Sequence, residues 1–203
     1  MLAILALGAP ACNRTEAPPP PQATSVSPTE ALPTERLVGP LSDSDAAALA
    51  TMNDRLKDYI ELHLKLEKEL PRLPDEATPE QIDKNQRAFE QRMRTVRSGA
   101  KQGDLFTPEA QVVIKRLLAT VFGGADGKEL KASIMDESTV NVKLAVNARY
   151  PDSVPISTVP PQVLQTLPEL TEDLEYRFIG DNLIILDSHA HVIADYIEDA
   201  LPK

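Results

Sequence analysis

Between Leu174 and Ile197 the chain reads LEYRFIGDNLIILDSHAHVIADYI, its densest run of β-branched and aromatic residues. Gly180-Asp181-Asn182 places turn chemistry between the apolar runs Tyr176 to Ile179 and Leu183 to Leu186, which predicts a β-hairpin. Four successive apolar residues, Leu183-Ile184-Ile185-Leu186, ask for burial on both faces, so this strand belongs inside a sheet and not at its edge. The last segment reads two ways. His191 to Ile197 has strand composition, whereas Val192, Ile193, Tyr196, Ile197, Ala200 and Leu201 also fit a helical stripe; the expectation is a strand that completes a β-meander and frays after Glu198.

Upstream the period is helical. After Ser42-Asp43-Ser44-Asp45, a capping run, residues Leu49, Met52, Leu56, Tyr59, His63, Leu66 and Leu70 fall in steps of three and four and predict one helix with a buried seam, ended by Pro71. Thr78-Pro79-Glu80-Gln81 is a capping box that opens a second helix, with Ile82, Phe89, Met93 and Val96 as its apolar stripe. Thr107-Pro108-Glu109 starts a third, carried by Val113, Ile114, Leu117, Leu118 and Val121 to Gly123-Gly124. From Val140 to Tyr150 the period changes to two, predicting a strand with one wet face. Pro160-Pro161-Gln162-Val163-Leu164 then predicts a short helical turn that Pro168 ends. The fold class expected is α+β, a layer of three helices within 42–122 packed on a small antiparallel sheet within 140–197.

The front of the chain is organised differently. Met1 to Gly8 is a short apolar run, followed by Ala9-Pro10-Ala11 and Cys12, the only cysteine. This resembles the lipobox of bacterial lipoproteins, and the resemblance implies cleavage after residue 11 and lipid attachment at Cys12. A plain secretory signal with an incidental Cys12, or an N-terminal fragment, is the other reading. Residues 12–40 include four consecutive prolines, Pro18 to Pro21, and few large apolar side chains, the composition of an extended tether. The expected organisation is therefore a signal peptide over 1–11, a Pro-rich lipid-anchored tether over 12–40 and one domain over 41–203. Asn13 after Cys12, where Asp would be the retention signal, favours the outer membrane on the same resemblance. The membrane, through this lipid, is the expected partner.

Charge narrows the functions. A formal net charge of −10 repels phosphate polymers, and 4% aromatics with no Trp offers few rings for stacking on bases, so no nucleic-acid partner is expected. Lys84, Arg87, Arg94 and Lys101 form a basic stripe on the second helix. Its functional reading is a docking face for an envelope protein or an anionic cell-wall or lipid group, and its plain reading a solvated face paired with neighbouring acids.

One motif carries chemistry. Asp187-Ser188-His189-Ala190-His191 runs off an apolar strand and resembles the first-strand metal motif of amidohydrolases, where two histidines at this spacing bind a divalent metal. Too few residues follow His191 for the remainder of such a barrel, so the metal reading is a smaller site of Asp187, His189 and His191, with Asp195 or another acid completing it. The competing reading is a turn in which Asp187 bonds its own backbone. His63, the third histidine, sits on the buried seam and is expected as a satisfied core residue. No Gly-x-Ser-x-Gly elbow or Gly-rich phosphate loop appears, so neither nucleophilic catalysis nor an organic cofactor is expected; a hydrolase using paired carboxylates stays open.

The segment Tyr176 to Asp181, Leu183 to Asp187 and Val192 to Ile197 resembles the C-terminal part of small periplasmic proteins, including those of nickel and cobalt homeostasis. With the lead-in Pro160 to Pro168, the chain resembles uncharacterised bacterial lipoproteins. The tether and the lack of a catalytic constellation point to a non-catalytic binding or scaffolding domain on the periplasmic face of a bacterial membrane, and Asp187, His189 and His191 give the alternative, a periplasmic metal-binding protein.

Overall fold

The Leu174 run folds as a three-stranded antiparallel meander, β1 (Leu174–Ile179), β2 (Asn182–Asp187) and β3 (Val192–Ile197), in strand order β1-β2-β3. The computed structural model describes residues 41–137, 142–152, 154 and 158–203, so Cys12 and the tether lie outside the described residues. Gly180 has φ +60° in the two-residue turn between Ile179 and Asn182, where a glycine avoids the left-handed penalty of other residues. β2 is central, as its composition demands, and all four residues from Leu183 to Leu186 are buried. Leu183 and Ile185 face the main core, Ile184 and Leu186 a smaller cluster with Tyr150, Val154, Ile179 and Ile193. Each such aliphatic side chain contributes about 1.5–3 kcal/mol on burial.

The helices supply the other layer. α1 (Asp43–Glu67) starts at Ser42, whose hydroxyl accepts from Asp45 N–H, and buries Met52, Leu56, Tyr59, His63 and Leu66. α2 (Pro79–Val96) has the full reciprocal capping box between Thr78 and Gln81. α3 (Pro108–Phe122), capped by Thr107, buries the five residues that define its stripe in the sequence. α1 packs against both α2 and α3. Two short helices complete the set, α4 (Gly127–Glu137) and α5 (Pro161–Leu164). The protein is thus α+β with its helices gathered N-terminal to the sheet.

Four expectations need correction. α4 follows Gly123-Gly124, where the periodic signal ends; its hold on the core is chiefly Ile134, with Leu130 partly buried, too sparse a stripe to read in advance. On α2, burial is confined to Phe89 and Met93, while Ile82 and Val96 are 43% and 55% exposed because they lie beyond the middle turns that meet the core. Over its described part, 142–150, the predicted strand is not formed. Val140 and Asn141 lie outside the described residues, residues 142–145 run without ladder bonds, and Asn147 takes φ +62°, which breaks the extended backbone. What remains is one bridge, Arg149 to Val192, flanked by Asn147 N–H to Ile193 C=O at 2.8 Å and Tyr150 N–H to His191 C=O at 2.9 Å. The alternation of the sequence survives as burial: Val142, Leu144 and Tyr150 cover the sheet's second face. The final segment is the strand expected, but it does not fray after Glu198: a turn at Glu198-Asp199 brings Ala200 and Leu201 into the core, their N–H groups donating to Asp181 C=O at 2.7 and 3.2 Å.

Candidate metal centre

Side chains alternate along β2, so Asp187 shares the helix-facing side of Leu183 and Ile185. On α1, Tyr59, His63 and Glu67 are spaced by four and form one stripe. The two lines meet. Asp187 is fully buried and its Oδ2 accepts from Tyr59 Oη–H and from His63 Nδ1, each at 2.8 Å, while Oδ1 accepts from Ala190 N–H at 2.8 Å. A carboxylate taking three donors can only accept, which places the proton of a neutral His63 on Nδ1 and leaves its Nε2 with a lone pair.

That Nε2 is one of several buried polar atoms without a hydrogen bond among the described residues, His191 Nε2 being another, and the one whose residue has two further ligand types beside it. His63 is fully buried, yet Nε2 makes no hydrogen bond among the described residues; the nearest charged group is Asp173, at 3.8 Å. Buried polar atoms are almost always paired, so an orphan of this kind calls for a reason. His63 belongs to a cluster with Glu67, one turn further along α1, and His189, in the turn after β2: one ligand atom from each of the three lies within 4.8 Å of the others. His189 Nδ1 is 3.2 Å from Glu67 Oε1. Ligands held about 2.0–2.2 Å from a shared tetrahedral ion stand roughly 3.3 Å apart; the Glu67–His189 pair stands near that separation, and the three atoms together, within 4.8 Å of one another, would draw in around an ion. Phe89 of α2 meets both imidazoles edge-on, at 4.8 Å from His63 and 4.9 Å from His189, and sets the orientation of the rings.

The electrostatics favour a cation at this point. Burial, the largest single influence on His63, lowers its proton affinity, but the hydrogen bond and charge of Asp187, with Asp173 and Glu67, outweigh it and raise the imidazole above its ordinary value. Burial, then the adjacent Asp187, pushes the Tyr59 phenol well up, so Tyr59 stays a donor. Behind it the Arg97 guanidinium lies 4.7 Å from the centre of the Tyr59 ring and also donates to Asn147 Oδ1 at 2.6 Å.

The residues singled out in the sequence are distributed differently. His189 and His191 do not converge, because residues two apart share a side only in a regular strand, and His191 sits in the turn with φ +56°. Its ring packs on Tyr150, and its Nε2 lies 3.4 Å from Asp152. Burial and then Arg149 lower the pKa of His191. Asp187 stands behind His63 as its hydrogen-bond acceptor. Asp195 is committed elsewhere, accepting from the backbone N–H groups of Gly103, Leu105, Phe106 and Tyr196 at 2.8–3.2 Å. His63 and Glu67, the two that sequence reasoning passed over, carry a faint signal in their spacing of four on a helix. Of the predicted basic stripe, Lys84, Arg87 and Arg94 lie on α2, Arg87 paired with Asp83 at 2.8 Å, Arg94 with Glu90 at 3.1 Å and Lys84 exposed, whereas Lys101 lies beyond the helix, which ends at Val96, and so is not part of the stripe.

Compared with known protein families, with curated proteins and with solved structures, the chain finds no match.

Proposed function

We propose that the protein is a lipid-anchored envelope protein whose folded domain binds a divalent transition metal through His63 Nε2, the Glu67 carboxylate and His189. The observation that carries the metal reading is the grouping of His63, Glu67 and His189 ligand atoms within 4.8 Å, with His63 Nε2 buried and without a hydrogen bond while its other nitrogen is held by Asp187. A carboxylate behind a histidine is the usual outer partner of a metal-bound imidazole, fixing both tautomer and ring angle. Two imidazoles and one carboxylate oxygen suit zinc, nickel or cobalt and are too few oxygens for calcium or magnesium. Nothing in this site requires catalysis, and its role is binding.

Calorimetric titration of the metal-free protein with Zn(II) and Ni(II) tests the reading. Saturable one-to-one binding is expected, lost in His63→Gln and His189→Gln and retained in His191→Gln. Loss on His191→Gln with retention in His63→Gln would return the site to the Asp187-His189-His191 set. The anchor has its own measurement. Mass spectrometry of the mature N-terminus from the native host is expected to give acylated Cys12, and an unprocessed Met1 would remove the envelope from the proposal.

A further inference from the structure

An open cleft of about 490 Å³ adjoins the three candidate ligands, a volume in the range of small-molecule sites. Glu67 and His189 belong both to the cluster and to the cleft wall, whereas His63 is sealed behind them. A metal held by these three has its protein ligands on the buried side and an open side toward the cleft. Three protein ligands leave a tetrahedral ion one position short, which is the pattern of a site that takes an exchangeable ligand.

The rest of the wall says what kind. Lys68 and Arg72 stand on it, and Glu67, which the metal would use, is its single carboxylate among the described residues. In a chain of formal net charge −10, a cleft wall with two cations against one acid, and that acid taken up by the metal, offers two charges free to face an anion. Leu70 and Leu73 supply apolar wall beside the cations. The wall is also fixed: Asn85 Nδ2 donates to Pro71 C=O at 3.0 Å, and Arg92 pairs with Glu69 at 2.6 Å, tying α2 to the segment after α1.

We infer that this cleft binds a small organic anion whose carboxylate or phosphate group takes the open position on the metal, with Lys68 and Arg72 facing its charge and Leu70 and Leu73 its carbon skeleton. The inference rests on the metal reading above and names the ligand class of that same site.

The test uses Co(II)-loaded protein, whose visible absorption reports the ligands of the ion, titrated at constant ionic strength with sodium butyrate and, separately, inorganic phosphate. A saturable change in the cobalt bands with at least one probe is expected. Saturation with butyrate alone assigns a carboxylate ligand, and with phosphate alone a phosphate ligand. In Lys68→Ala/Arg72→Ala, cobalt affinity is expected to hold while probe affinity drops about 3- to 10-fold, the size of two exposed charge pairs. Tightly bound cobalt with bands indifferent to both probes, or equal probe affinity in the double variant, overturns the inference and leaves the metal site standing. Failure to bind cobalt at all removes both.

Discussion

Asp187 holds three donors on two oxygens, and those donors come from α1 and from its own turn, so one side chain orients the imidazole and closes the loop after β2. Asn cannot accept all three, and its amide hydrogens would oppose one of them. Asp187→Asn is therefore expected to cost about 1–3 kcal/mol in a urea titration, the cost of leaving a buried donor unmade. The same variant is expected to weaken Zn(II) binding about 10- to 100-fold without removing a ligand. Asp195 makes a second, separate prediction. Four backbone N–H groups hold its carboxylate, yet burial outweighs them and raises its pKa above 3.8. A raised carboxyl binds its proton more readily folded than unfolded, so its contribution is fully present below 3.8 and is lost as pH rises through the folded value. The stability gap between the wild type and Asp195→Ala is thus expected to widen from pH 7 toward about pH 4, measured as urea midpoints at each pH.

Among the elements, start signals were the most legible. Thr78-Pro79-Glu80-Gln81 specifies a helix because each of its residues satisfies or dispenses with a backbone donor, and the reciprocal bonds of Thr78 and Gln81, at 2.8 and 3.3 Å, are those the residues imply. Thr78→Ala is expected to cost only about 1 kcal/mol, since it exposes donors that water can reach. Gly127 is the contrast, and nothing in its sequence surroundings announced it. A Cβ built there would lie 1.9 Å from the carbonyl oxygen of Phe122, so the start of α4 is pressed against the end of α3 by backbone alone. Gly127→Ala is expected to lose about 1–3 kcal/mol, read as a lower thermal midpoint, because a carbonyl cannot step aside as a flexible side chain would. Within 142–150 the alternating pattern does not make a strand, for a reason of packing. Alternating burial needs only that alternate residues meet an apolar surface, and segment 142–150 achieves that on the sheet's second face with ladder bonds at its C-terminal end only.

For the whole molecule, the site joins what the sequence keeps apart. His63 and Asp187 are 124 residues apart in the chain, and their bond places the C-terminal half of α1 against the end of β2. Sequence alone marked Asp187 and His189 through the local Asp-x-His-x-His pattern, but the partners that make a site of them come from a helix whose histidine has the periodicity of a core residue. Packing of α1 on the sheet decides the matter, and the direction of a turn residue at φ +56° decides that His191 takes no part. A metal at His63, Glu67 and His189 would bind only where α1 and the β2–β3 turn are already together, so its binding free energy adds to folding. At a free metal concentration of a hundred times Kd the gain is about 2.7 kcal/mol. For a domain of this size that corresponds to a rise of about 5–10 °C in thermal midpoint, measured by scanning calorimetry with Zn(II) against chelator. His63→Gln is expected to abolish the rise, whereas His191→Gln keeps it, since the Asp152-facing imidazole touches none of the three ligands. A rise of the same size in both variants would mean that zinc acts elsewhere on the surface, and the coupling between metal and fold argued from His63 would be gone.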